Sequence, residues 1–128
     1  MDWTQHNKGA IPTKQEGELR VLSIDGGGMK GVIPATYLQQ VEDYIGNRIY
    51  NHFDLITGTS TGGIIALGLS AGMTAKEIAS LYVENGKKIF SKKMGANMLF
   101  SAKYSNDSLK KLLQDTFAET RLEEAKTM

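Results

Sequence analysis

The chain has 128 residues and a net charge of +1, enough for one small domain and without the basic excess of a nucleic-acid-binding surface. It contains no cysteine, which removes a disulfide framework and a thiolate metal site. No apolar run approaches the ~20 residues of a membrane span, and the polar stretch Met1 to Glu18 lacks the apolar core of a secretory signal, so a cytoplasmic protein is the default expectation.

Residues 1–18 read as a flexible arm and residues 19–128 as the folded part. Leu19 to Ile24 is apolar and β-branched, a strand. A glycine loop follows, Asp25-Gly26-Gly27-Gly28-Met29-Lys30-Gly31, and a helix begins at about Val32 with Pro34 in its first turn. Ile33, Tyr37, Leu38, Val41, Tyr44 and Ile45 supply its predicted apolar face, and Gly46 stops it. Phe53 to Thr59 is a second strand, and Thr61 to about Ala71 a helix apolar enough to be buried. Thr74 and Glu77 form a capping box for a third helix, with Ile78, Leu81, Tyr82 and Ile89 as its inward face. Ser91 to Tyr104 is irregular. Ser105 to Ser108 offers several caps for a fourth helix carrying Leu109, Leu112, Leu113 and Phe117, and Lys126-Thr127-Met128 can begin another strand.

Two strands joined by a helix imply a parallel βαβ unit, and a parallel sheet wants helices on both faces. The expected fold is therefore α/β with a parallel sheet. Two strands make a poor sheet, so the chain reads as part of a larger α/β domain.

The chemistry concentrates at two turns. Gly58-Thr59-Ser60-Thr61-Gly62 is G-x-S-x-G between a strand and a helix, the setting of a nucleophile elbow that lifts a serine hydroxyl above the sheet edge. Gly58 and Gly62 leave room for the sharp turn. Gly26, Gly28 and Gly31 satisfy G-x-G-x-x-G, which admits two readings. A dinucleotide site wants an acidic residue about 20 residues on, at the end of the second strand. Asp43 lies in the helix and Asp54 at the wrong strand end, and the serine elbow occupies the required position. The preferred reading is an oxyanion loop, whose backbone N–H groups stabilise negative charge on a reacting carbonyl oxygen. Parallel strands end on one edge, so this loop and Ser60 should lie side by side. Lys30 either attracts an anionic head group or is a solvated lysine at the helix start.

Together, Asp25 to Gly31 and Phe53 to Gly63 resemble the patatin-like phospholipase family, with the likeness running from about Leu19 to Phe117. The resemblance implies hydrolysis of fatty-acyl esters of membrane phospholipids at a membrane surface, by a Ser–Asp dyad without metal or cofactor. It implies that Ser60 is the nucleophile, with the N–H groups of Gly27 and Gly28 as oxyanion donors and Gly26, Gly31, Gly58 and Gly62 as supporting glycines.

A partner for the serine is harder to find. His52 precedes the second strand, ~26 Å from Ser60 if extended, and His6 lies in the arm. Asp54 shares the wrong strand end. Asp25 is suited to holding the loop by accepting its N–H groups, Asp107 to capping a helix and Asp115 to the polar face of that helix. The family's aspartate sits in a later Asp-Gly motif, and the only Asp-Gly pair here is Asp25-Gly26. The aspartate is therefore expected from the rest of the domain or from a second chain, and residues 1–128 alone are expected to be nearly inactive. Lys87, Lys88, Lys92 and Lys93 beside Met94, Met98, Leu99 and Phe100 either dock on anionic lipid or close over the core. Two other functions remain open: a lipid acyltransferase, and a catalytically incomplete lipid-binding or assembly module.

Overall fold

The computed structural model describes Pro12, residues 14–89 and residues 106–127. Two parallel strands form its sheet, β1 (Val21–Ile24) and β2 (Leu55–Gly58), with Val21 opposite Leu55 and Ile24 opposite Gly58. Both are shorter than their apolar runs. Successive strand residues point to opposite faces, and here the two faces differ. Leu22, Ile24 and Ile56 join the core, whereas Val21, Ser23 and Thr57 are exposed. Among the described residues, one face of the sheet is thus covered and the other open.

After β1 the chain makes a 3-10 turn, Gly28–Gly31, and enters α1 (Val32–Ile45). Gly46 ends α1 in the left-handed region at φ 65° and donates its N–H to the Glu42 carbonyl at 2.8 Å. The next helix, α2 (Thr61–Ser70), starts directly after Ser60 and packs on β2. It is followed by α3 (Ala75–Ile89), which packs along α1, and by α4 (Asn106–Phe117). The core joins Ile24 and Ile56 of the sheet to Ala35 and Leu38 of α1, Ile65 and Leu69 of α2, and Ile78 and Tyr82 of α3.

The capping box of α3 forms as the sequence predicts. The Glu77 N–H donates to Thr74 Oγ1 at 3.0 Å, and the Thr74 N–H donates to Glu77 Oε2 at 2.8 Å. These bonds from Thr74, backbone first and hydroxyl second, hold the Glu77 carboxyl below the usual carboxylate range.

The buried face of α1 departs from the prediction. Ala35, Leu38 and Glu42 are buried, while Ile33, Tyr37 and Tyr44 are exposed. At 100° per residue the two stripes lie on nearly opposite sides of the helix. A buried glutamate decides the orientation. Glu42 Oε1 accepts the Ile49 N–H at 3.0 Å and Oε2 accepts the Ala75 N–H at 2.9 Å, with Arg48 Nη1 at 3.7 Å. One carboxylate thus satisfies the first free amide of a 3-10 turn (Ile49–Asn51) and that of α3.

The described part of the arm is tied to the start of β2. Lys14 Nζ lies 2.5 Å from Asp54 Oδ1, and the Arg20 N–H donates to Asp54 Oδ2 at 2.8 Å. The Arg20 amide is the first cause and Lys14 the second that hold the Asp54 carboxyl below its usual range. At the other end, Lys126 N–H donates to the Ser70 carbonyl at 2.6 Å and Thr127 Oγ1 to the Phe53 carbonyl at 2.9 Å. These contacts lay the C-terminal residues beside α2 and the start of β2, without strand pairing among the described residues. The predicted irregular stretch, with Lys92, Lys93, Met94, Met98, Leu99 and Phe100, lies outside the described residues.

Candidate active site

Ser60 stands between the last residues of β2 and the first turn of α2, with φ 53° and ψ −123°. A serine in the left-handed half of conformational space is held there against a cost of about 1–3 kcal/mol. The bonds on either side hold it. The Thr59 N–H continues the ladder to the Ile24 carbonyl at 3.1 Å, the Gly62 N–H closes on the Thr59 carbonyl at 2.8 Å, and the Gly63 N–H closes on the Ser60 carbonyl at 3.0 Å. A serine before a helix ordinarily spends its hydroxyl on a helix N–H. Ser60 makes no such bond, and its side chain is exposed.

The glycine loop abuts this turn, as the parallel topology requires. A Cβ on Gly26 would collide with the Thr59 carbonyl and come within 2.9 Å of Ser60 Cβ. A Cβ on Gly62 would collide with the Ile24 carbonyl, and one on Gly58 with the Gly62 carbonyl. Gly26 and Gly62 thus share one reason to be glycine, the contact of loop with elbow, while Gly58 is needed where the elbow folds on itself. Gly28 has a different reason, φ 61°, which side chains disfavour.

Two threonine hydroxyls bind the loop to the elbow. The Gly26 N–H donates to Thr59 Oγ1 at 3.2 Å, and the Gly27 N–H donates to Thr61 Oγ1 at 3.1 Å. The sequence reading gave this loop-holding role to Asp25, which is exposed. Thr61 is itself 3% exposed, and its carbonyl accepts the Tyr82 hydroxyl of α3 at 2.6 Å. Burial pushes the Tyr82 phenol up to about 12, so it remains a donor across the physiological range. Neither Thr61 nor Tyr82 stood out in the sequence. Tyr82 reads there as one more apolar residue of α3, and the only hint of Thr61 is that hydroxyl residues flank Ser60 on both sides.

The remaining candidates separate by position. Lys30 is exposed, with its Cβ 3.6 Å from where a Gly27 side chain would begin, so its aliphatic stem lies beside the glycine loop. His52 and Asp54 sit before β2, at the edge opposite Ser60. His52 Nε2 is buried there without a partner. Glu42 and Asp43 belong to the C-terminal half of α1, and Asp107 and Asp115 lie exposed on α4. Among the described residues no side chain hydrogen-bonds to the Ser60 hydroxyl, and no three His, Asp or Glu residues cluster as metal ligands would. Cavities of about 350 and 680 Å³ open where Leu67 and Ser70 meet Leu122 and Ala125. They lie along the C-terminal half of α2, roughly 10–15 Å from Ser60 by helical rise.

The stretch that carries the glycine loop and the serine elbow falls within a match to known proteins. The family model for patatin-like phospholipases matches residues 22–128. The chain belongs to the patatin-like phospholipase family. It is 39% identical to a cGAMP-activated phospholipase of Pseudomonas aeruginosa (strain BWHPSA011 / Pa011) over 83% of this chain and 33% of that protein. It is also 39% identical to Patatin-T5 of Solanum tuberosum, over 84% of this chain and 31% of that protein, and 38% identical to Patatin-17 of Solanum cardiophyllum, over 88% and 32%. The chain thus spans about a third of the length of these curated relatives. No solved structure matches it. In this patatin-like chain, among the described residues, no helix is long and apolar enough to cross a membrane.

Proposed function

We propose that this chain carries the nucleophile and oxyanion loop of a lipid acyl hydrolase that cleaves fatty-acyl esters of membrane phospholipids. The observation that carries the proposal is the strained, exposed Ser60, with its hydroxyl left out of helix capping and the glycine loop packed against it. In the proposed reaction Ser60 Oγ attacks the ester carbonyl, and a base takes its proton. Backbone N–H groups of the glycine loop, for which Gly27 and Gly28 are the candidates, stabilise the oxyanion. The collapse of the tetrahedral intermediate releases the lysolipid alcohol, and water then frees the fatty acid. Lys30, beside the loop, suits the phosphate of the head group.

The base is an aspartate supplied by the remainder of the domain or by a second chain, because no carboxylate or imidazole among the described residues bonds to Ser60. With that partner absent, residues 1–128 alone retain at most weak hydrolysis, since losing a member of the catalytic set costs several orders of magnitude. That same gap supports the second reading, a lipid-binding or assembly module.

A fluorophosphonate probe separates the two. On the full-length protein, serine labelling and fatty-acid release from phosphatidylcholine vesicles, both abolished in Ser60→Ala, are the expected result. An unlabelled full-length protein that still binds vesicles supports the binding module and rejects the hydrolase.

A further inference from the structure

We propose that Thr61 is a positioning residue that ties the glycine loop to the elbow, and that Tyr82 locks it in place. The inference rests on the acyl-hydrolase reading above. It starts from a conflict within that reading. The Gly27 N–H, one of the two proposed oxyanion donors, already donates to Thr61 Oγ1 at 3.1 Å. Among the described residues no acceptor takes the Gly28 N–H.

Three segments converge on Thr61. Its hydroxyl holds the loop, its own backbone opens α2 directly after Ser60, and its carbonyl accepts the Tyr82 hydroxyl from α3 at 2.6 Å. The junction is close-packed. A side chain on the intervening Gly31 would come within 2.9 Å of Tyr82 Cε1 and 3.1 Å of Thr61 Oγ1. Thr61 is 3% exposed and Tyr82 5% exposed, so water does not replace either bond.

The consequence follows from the covalent chain. The Gly28 N–H lies in the peptide plane that follows Gly27 Cα, so once the Gly27 amide is fixed the Gly27 φ of 167° and ψ of 40° set its direction. The Gly28 N–H is thereby placed relative to Ser60 Oγ by a residue adjacent to Ser60 itself. Loop and nucleophile share one reference point, and α3 anchors it. Thr61 spends the Gly27 amide on geometry and leaves Gly28 as the free donor.

The test uses the full-length protein, turnover of a p-nitrophenyl acyl ester and the rate of fluorophosphonate labelling. Thr61→Val keeps the shape and removes the acceptor. It is expected to lower kcat and the labelling rate by roughly 10–100-fold with KM within about threefold, the scale of a slightly misplaced oxyanion donor. Thr61→Ser, which restores the hydroxyl, should recover activity to within about threefold, and Tyr82→Phe should lose roughly 3–10-fold. Unchanged or raised kcat in Thr61→Val overturns the proposal, a rise meaning that the hydroxyl competes with substrate for Gly27. So does a Thr61→Ser protein no better than Thr61→Val. If Thr61→Val fails to fold by near-UV circular dichroism, Tyr82→Phe decides alone, and an unchanged kcat there refutes the locking role. Full turnover and labelling in Ser60→Ala would instead remove the acyl-hydrolase reading, whatever the Thr61 variants show.

Discussion

Gly26→Ala isolates the contact between the two motifs from every other role of glycine. Gly26 is not among the glycines with positive φ, so its backbone accepts alanine. The added methyl meets the Thr59 carbonyl and would lie 2.9 Å from Ser60 Cβ. Carbon atoms in favourable contact sit about 3.5–4.0 Å apart, so the Ser60 contact alone requires loop and elbow to separate by roughly 0.6–1.1 Å, and the closer Thr59 carbonyl requires more. Neither side yields easily, because both are backbone tied by the Gly27 to Thr61 and Thr59 to Ile24 bonds. Forced overpacking of this kind costs about 1–3 kcal/mol of stability. The larger effect falls on function, since a displacement near 1 Å between nucleophile and oxyanion donor costs about 100-fold in rate. Fluorophosphonate labelling at matched protein concentration reads the rate, and urea unfolding reads the stability. Gly63→Ala is the control. Its Cβ would lie 3.3 Å from the Gly58 carbonyl, a contact relieved by shifts of a few tenths of an ångström, and labelling should change by less than about threefold. A Gly26→Ala protein that labels within about twofold of the unmodified one, at unchanged stability, would show that the loop does not rest on the elbow.

Ser60→Gly should abolish labelling and yet be more stable than Ser60→Ala by about 1 kcal/mol, because glycine adopts φ 53° without strain; equal urea midpoints for the two would mean that the turn stores no strain. Glu42→Leu leaves the Ile49 and Ala75 amides without acceptors and should cost about 2–6 kcal/mol, at about 1–3 kcal/mol per buried unmet amide. A loss below about 1 kcal/mol would show that water reaches those amides. For Glu77 the folded carboxyl lies below its unfolded value, so its contribution is present above the unfolded pKa and is lost as pH falls through the folded pKa. Glu77→Gln should therefore destabilise the protein at neutral pH and converge with the unmodified protein in acid; parallel stability curves at all pH values would contradict the capping bonds.

The backbone of the site was legible in the sequence because its causes are local. A strand, a glycine-flanked serine and an apolar helix occur in chain order, and the same holds for the strand, glycine loop and helix before it. Parallel pairing then places both turns on one edge, as the contact of Gly26 with Ser60 shows. The capping box at Thr74 and Glu77 was equally legible, since its partners are three residues apart. The described part of the arm, in contrast, carries an ion pair from Lys14 to Asp54, just before β2, that the sequence did not announce.

What the sequence by itself determined is the pair of turns and the family they mark, since these depend on backbone freedom at particular glycines. Only the tertiary structure decided which side chains serve those turns. A helix with apolar residues around its circumference has no unique inward face by pattern alone. On α1 the burial of Glu42 against two amides turned Ile33, Tyr37 and Tyr44 outward. Likewise, the Gly27 amide found its acceptor on Thr61, 34 residues along the chain, with Tyr82 behind it. Those choices depend on which polar groups lose water together, and that is settled when the elements pack.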